Sequence, residues 1–496
     1  MAVAVAAPHP AAVDAAREAV AAGGAALDAA LAAAAALTVA YPHQCSVGGD
    51  LVAIVRPPGG PAQAVLSIGA AATTVDVAAL RAAGDRMPPG GPQTITVPGV
   101  VAGWAAIAAL GARLPLRDLL TPAIRLAATG VPVSAGLAAA VQARLTVIRA
   151  DPGLAGLLLS PDGTPLTTLV QPVLAETLSV IAANWRSFYR GHLAHQLVEG
   201  LRALGSPLAV ADFAAHRAEV TEPLTTVADG VTWHAAPPPV QGATFLGIVG
   251  SAELLADARR AQLARDALLG DPRTGPVDVD GLLLRSSPAP FAAAAGAPKP
   301  AGDTVAVTAV DDDGTAVTLI QSVFQSFGSG LLEPGTGVVL HNRGSSFSLD
   351  PAHPGRIAPG ARPPHTLCPT IATTTDAVIA LGCQGGRSQP WILAQLAGDV
   401  LDSTDLAGLL SRPRWIIGGR EIDRHVPTLL LEPGTPDAEA LTGAAAALGL
   451  AVATTAARHD DAGHAQVARL RGTDLAAASD PRADGEAAIL PTSTTR

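Results

Sequence analysis

The 496-residue chain is 49% hydrophobic and only 15% charged, which excludes an intrinsically disordered protein and fits a compact globular enzyme. A formal net charge of −10, with no Lys/Arg block anywhere, excludes the basic stripe that nucleic acid or an anionic membrane surface would require of a partner. Three cysteines, Cys45, Cys368 and Cys383, form an odd set without metal-ligand spacing and read as reduced, buried thiols, with no metal or other cofactor expected.

In chain order, the first residues carry no positive charge before Arg17, and His9-Pro10 interrupts the apolar stretch, so the layout of a secretory signal is missing and a cytoplasmic protein is expected. The longest apolar helical run, Leu31 to Tyr41, falls short of the roughly 20 residues a membrane span needs. Pro8 to Tyr41 predicts two Ala-rich helices separated by Gly23-Gly24. The Gly-rich turn Ser46-Val47-Gly48-Gly49-Asp50 then runs into a strand over Leu51 to Val55. Helical patterns follow over Pro98 to Ala150 and Leu174 to Leu204, then a strand around Val231 to His234 and a stiff turn at Pro237 to Pro239. From Gly275 to Asp303 the composition shifts to Pro, Ala and Gly, which marks a linker. Strands are predicted beyond it at Val305 to Val310, Thr315 to Ser322, Gly337 to Leu340 and Ala377 to Leu381, the first two joined by a hairpin turn at Asp313-Gly314. This order predicts an α+β layered fold in which a helix-rich segment, 1–274, and a strand-rich segment, 304–496, share one core across the linker 275–303.

Thr304 stands between the loose stretch Gly296 to Asp303 and the first strand of that hairpin. A cut at Asp303-Thr304 would make it residue one of a new chain. It would then carry its own general base, the α-amine, which titrates near neutrality and can activate the weakly nucleophilic hydroxyl.

Several spaced motifs carry a resemblance. Gly23-Gly24-Ala25-Ala26-Leu27-Asp28-Ala29-Ala30, Val97-Pro98-Gly99-Val100-Val101-Ala102-Gly103, Phe188-Tyr189-Arg190-Gly191, Pro237-Pro238-Pro239 with Gln241-Gly242, and Arg265-Asp266 with Gly270-Asp271-Pro272 precede the junction. Phe327-Gly328-Ser329-Gly330, Asn342, Phe347-Ser348, Arg362-Pro363, Pro369-Thr370, Gly385-Gly386 and Pro413-Arg414 follow it. In this order they resemble the gamma-glutamyltransferase family of N-terminal-nucleophile hydrolases, over most of the chain. Ala25 departs from the family, which has Asn there.

The resemblance implies a four-layer αββα N-terminal-nucleophile hydrolase sandwich, self-cleavage at Asp303-Thr304, and Thr304 as catalytic nucleophile. It implies Ser322 as the hydroxyl that orients Thr304, and Gly385-Gly386 as the oxyanion pair. The mature protein would be two fragments of one chain, and a homodimer is compatible with the sequence. The family's carboxylate-clamping Arg is missing from Ile68-Gly69-Ala70-Ala71-Ala72, and its ammonium-binding Asn, Gln and Asp fall on Phe324, Arg343 and Ser346. Its carboxylate-binding Ser-Ser pair falls on His365-Thr366. A guanidinium at Arg343 and an imidazole at His365 suit an anionic group in place of an ammonium. The pattern looks like the divergent branch that includes oxamate amidohydrolase, acting on a small anionic acyl amide. The alternatives are a gamma-glutamyl hydrolase or transferase, a carbon-carbon bond hydrolase of natural-product biosynthesis, and an unprocessed, inactive scaffold.

Overall fold

The computed structural model describes residues 2–286 and 302–492. In chain order, the strands of its two large sheets are β1 (Ala2–Ala7), β2 (Asp50–Arg56), β3 (Gln63–Ser67), β4 (Glu219–Thr221), β5 (Leu224–Ala228) and β6 (Val231–Ala235). They continue with β7 (Gly302–Asp311), β8 (Ala316–Gln325), β9 (Thr370–Thr373), β10 (Ala377–Cys383), β11 (Ala465–Arg471), β12 (Asp474–Ser479) and β13 (Glu486–Pro491). One sheet runs β13-β1-β7-β8-β2-β3-β4 and the other β12-β11-β10-β9-β6-β5. Neighbours in both are antiparallel, for example Leu319 opposite Val307 and Ala380 opposite Ile371.

The alternation of side chains across each strand sorts the core into layers. Val52, Ile54, Ala306 and Ile320 of the first sheet meet Ile371, Val378 and Ala380 of the second in a buried seam between the sheets. The opposite face of the first sheet, with Leu51, Ala53, Val305 and Leu319, is covered by α1 (Pro10–Ala21), α2 (Ala26–Ala40) and α3 (Val100–Ala109). The outer face of the second, with Ile379, Leu381 and Val467, is covered by α4 (Gly242–Leu246), α5 (Leu254–Leu268) and α6 (Gln389–Ala397). The result is the expected αββα sandwich. All of α2 is buried, which suits a helix apolar all round, and its small side chains let it lie close to the sheet. Asp28 anchors its start by accepting from Ala25 N at 2.9 Å and from Leu114 N at 2.8 Å. Asp28 therefore does the capping without help from residue 25.

The structure corrects the sequence reading in three places. β1 was not anticipated, because Ala2–Ala7 is buried on both faces and lacks the apolar-polar alternation that reveals a half-exposed strand. The strand expected over Gly337 to Leu340 is only Val338–Val339. Within the expected linker, Val279–Leu282 is a helical turn capped by the Asp278 carboxylate, which accepts from Gly281 N at 2.9 Å. Most of the Gly296 to Asp303 stretch lies outside the described residues. Its last two residues belong to β7, where Asp303 and Gly302 pair with Phe324 and Gln325.

Among the described residues no helix is long and apolar enough to cross a membrane. The three cysteines are free and buried, and burial pushes each thiol up, so they are unreactive core residues.

At the far end of the second sheet the buried Asp480 carboxylate binds Arg414, Arg482 Nη1 at 3.0 Å and Ala465 N at 3.1 Å. Burial opposes its ionisation, yet the two guanidiniums hold the carboxyl below its usual range. Asp480→Ala would leave the buried Arg414 without its ion-pair partner, while Arg482 keeps Glu432, and is expected to cost about 3–5 kcal/mol of stability, read as a lower denaturant midpoint.

Candidate active site

β7 runs straight through the Asp303-Thr304 junction, and its partner β8 is irregular at that point. Val305 pairs with Gln321 and Asp303 with Phe324, so Thr304 alone faces two residues, Ser322 and Val323. This is a β-bulge, a device that re-aims side chains beside functional sites. It is held from outside the hairpin. Val323 N donates to Gln44 O at 3.1 Å, Asn342 N donates to Val323 O at 3.2 Å, and Gln325 N donates to Asn342 Oδ1 at 3.1 Å. Phe324 sits at φ 78°, a left-handed conformation that a bulky residue adopts only when its surroundings impose it.

The bulge brings the two predicted hydroxyls together. Thr304 Oγ1 donates to Ser322 Oγ at 3.0 Å, and Ser322 Oγ also accepts from Phe324 N at 2.8 Å. Both side chains are buried and point into the seam between the sheets. On the other side of β8, Ser322 pairs with Asp50, the first residue of β2. Thr304, Ser322 and Asp50 thus form one row across three neighbouring strands.

Gly385 and Gly386 follow the end of β10 on the second sheet, and the short turn Gly386–Ser388 packs against β7. Their φ values of 148° and 51° are conformations that side chains rarely adopt, and a Cβ on Gly385 would lie 2.6 Å from Ile392 Cδ1. Gln241 holds the turn by donating from Nε2 to Gly386 O at 2.9 Å and to Thr366 O. Arg265 fixes Gln241 in turn, donating from Nη1 to Gln241 Oε1 at 3.0 Å and to Arg387 O at 2.6 Å, while Asp266 pairs with Arg387. The Gln241-Gly242 and Arg265-Asp266 motifs therefore act on this site as a brace.

Arg343 is buried. Its guanidinium carbon lies 3.5 Å from the centre of the Phe324 ring, and its Nη2 donates to Thr366 Oγ1 at 3.0 Å. Its Nη1 is buried without a hydrogen-bond partner. Burial disfavours the charge and Asp50 supports it; a guanidinium stays protonated in either case. Phe324 and Gly385 to Arg387 are only partly buried, so they form the open side of the cluster.

Two predicted substrate contacts are engaged elsewhere. Ser346 Oγ lies 2.8 Å from Arg343 O and 2.7 Å from Pro364 O, so its hydroxyl closes the Arg343 loop. His365 is turned inward, with Nε2 3.2 Å from Asp50 Oδ2 and Nδ1 accepting from Leu367 N at 3.4 Å. Burial, with the nearby charge of Arg343, drives its pKa well down, so it is a neutral imidazole. The sequence reading also passed over Asp50 itself, which restores an acid beside Arg343 from a different strand. Its one signal was a lone carboxylate at the head of an apolar strand, directly after Gly48-Gly49.

The family model described as Gamma-glutamyltranspeptidase matches residues 12–490. The chain is 38% identical to the oxamate amidohydrolase proenzyme of Klebsiella pneumoniae, over 97% of each chain. It is 32% identical to the glutathione hydrolase-like YwrD proenzyme of Bacillus subtilis, over 84% of this chain and 85% of that one. Among solved structures it is similar to the cephalosporin acylase of Bacillus halodurans, with a TM-score of 0.85 and 30% identity over 98% of this chain and 95% of that one.

Proposed function

The chain belongs to the gamma-glutamyltranspeptidase family, and on that premise we propose a self-processing amidohydrolase that uses Thr304 as nucleophile on a small acyl amide with an anionic acyl part. The observation that carries the reading is the 3.0 Å hydrogen bond from Thr304 Oγ1 to Ser322 Oγ at the bulge, on the strand against which the Gly386–Ser388 turn packs. The proenzyme names of the relatives support processing, and the oxamate amidohydrolase supports the substrate class.

In processing, Thr304 Oγ1 attacks the Asp303 carbonyl carbon. Collapse breaks the Asp303-Thr304 C–N bond and leaves an ester on Oγ1 with the α-amine free. Water then hydrolyses the ester, giving a carboxylate on Asp303 and Thr304 as a new N-terminus. In turnover the hydroxyl gives its proton to the α-amine and attacks the amide carbonyl, and the amine returns the proton to departing ammonia. Backbone N–H groups of Gly385 and Gly386 serve the developing oxyanion. Hydrolysis of the acyl ester regenerates Thr304; oxamate would yield oxalate and ammonia. The unpartnered Nη1 of Arg343 supports the choice of an anionic acyl part.

Ser322→Ala is expected to keep the fold and slow cleavage roughly tenfold to a hundredfold. That is the loss of one hydrogen bond to a developing charge, about 1.5–3 kcal/mol. A denaturing-gel time course checks it, and Ser322→Thr should recover most of the rate. Unchanged cleavage in Ser322→Ala would remove Ser322 from the mechanism.

A gamma-glutamyl amide is the second reading, because Asp50 offers the acid that an α-ammonium would need. Comparing turnover of oxamate with that of gamma-glutamyl-p-nitroanilide decides between them.

A further inference from the structure

Asp50 is fully buried at the floor of the cluster, and its two oxygens have different surroundings. Oδ1 accepts from Gly69 N at 3.0 Å, in a nest that only glycines allow. A Cβ on Gly69 would lie 1.5 Å from Val97 O, and one on Gly99 would lie 1.9 Å from Ser67 O and 3.0 Å from Oδ1 itself. Oδ2 faces two imidazoles, with His365 Nε2 at 3.2 Å and His341 Nδ1 at 3.5 Å.

The hydrogen bonds fix both tautomers. His365 Nδ1 accepts from Leu367 N, so in the neutral ring Nε2 carries the hydrogen and donates to Oδ2. His341 Nε2 lies 2.9 Å from Thr96 O, which can only accept, and 3.1 Å from Thr96 Oγ1, so Nε2 carries the hydrogen and the hydroxyl serves as a second acceptor. His341 Nδ1 is therefore a bare lone pair, buried, without a hydrogen-bond partner and 3.5 Å from Asp50 Oδ2. An ionised carboxylate would set acceptor against acceptor. One proton on Oδ2 turns the contact into a donor-acceptor pair at the outer limit of a hydrogen bond, while Oδ2 still accepts from His365.

We propose that Asp50 and His341 share one dissociable proton that sets the net charge around Arg343, so that a carboxylate-bearing acyl group binds together with a proton. The second half of this rests on the anionic-substrate reading above; the shared proton does not. Both are positioning residues, acting through Arg343.

The charges that face the pair come from several elements. Arg343 is the nearest cation, with Arg387 behind it, and Tyr189 is a neutral phenol committed to Pro98 O at 2.9 Å and Ala102 N at 3.1 Å. With Asp50 ionised, Arg343 is already neutralised and an incoming carboxylate leaves the cluster at net −1. With Asp50 protonated, the same carboxylate brings it to zero. Burial pushes the Asp50 carboxyl up to about 7, against the pull of the Gly69 N–H and Arg343. Burial also keeps His341 neutral, at about 4. The sign follows: anion binding favours the protonated form, and it weakens as pH rises through the Asp50 pKa. Among the described residues no group of three or more His, Cys, Asp or Glu side chains is arranged to hold a metal ion.

Infrared difference spectroscopy of the whole protein against Asp50→Asn reads the proton directly. The expected result is a protonated-carboxyl band at about pH 6 that Asp50→Asn lacks and that fades through neutrality. In His341→Gln, which keeps Asp50 but replaces the lone pair with an amide donor, the band should fade at lower pH. This variant serves if Asp50→Asn does not fold. Saturating oxamate should raise the midpoint by about one pH unit or more. The KM for oxamate should climb toward tenfold per pH unit above the midpoint, with kcat changing less, and this slope should flatten in His341→Gln. Absence of the band overturns the proposal. So does a midpoint that oxamate leaves in place while oxamate is being hydrolysed. If oxamate neither binds nor reacts at any pH, the substrate reading fails, and the band without ligand still decides the shared proton.

Discussion

Thr304→Ala is expected to remain a single chain of about 49.4 kDa with no measurable amidase activity, whereas the wild type yields fragments 1–303 and 304–496. The substitution removes the atom that attacks in both reactions, and a nucleophile acting as a unit with its base typically accounts for several powers of ten in rate. The fold should survive, since an alanine fits the buried site and the bulge is held by hydrogen bonds of Gln44 and Asn342 to Val323 and Gln325. A denaturing gel and N-terminal sequencing of the smaller fragment, expected to begin Thr-Val-Ala-Val, check the cut. Thr304→Ser should retain part of both reactions because it keeps a hydroxyl. If Thr304 is only a strand residue, Thr304→Ala will behave as the wild type.

Arg343→Gln should raise the KM for oxamate roughly tenfold to a hundredfold while lowering kcat less. A buried, charge-assisted pair with a carboxylate contributes about 1.5–3 kcal/mol, and it forms in the ground state as well as the transition state. Arg343→Lys keeps the charge but not the planar fork, and should fall between the two. The wild type is expected to turn over gamma-glutamyl-p-nitroanilide slowly. A preference for that substrate, or an unchanged KM for oxamate in Arg343→Gln, would make Arg343 a structural cation.

Thr304 was legible because its signal is local: a compositional break, then alternating β-branched residues, then an Asp-Gly turn. Arg343, Thr366 and the glycine pair were legible through the order of motifs along the chain. Asp50 and His341 were not, because their meaning depends on pairing between distant segments. Asp50 and His365 are 315 residues apart and meet only when β2 lies beside β8 and the stretch before β9 folds over both. The charge state of His365 is not legible for a related reason. An imidazole can be neutral or cationic in a sequence, and it is burial beside a guanidinium that makes this one neutral. β1 escaped notice because a strand buried on both faces reads as a plain apolar run.

β7 lies in the middle of its sheet, between β1 and β8, with strands of the N-terminal segment on both flanks. If the backbone is cut at Asp303-Thr304, the two pieces are woven through one another and cannot part without dismantling the sheet. Such a pair does not trade members with its neighbours in solution. Each molecule keeps for life the two halves it was born with. Its return from the unfolded state would become a second-order reaction between separate chains, while the uncut precursor refolds on its own. Processing would thus make the protein an enzyme and also fix the moment after which its assembly history can no longer be repeated.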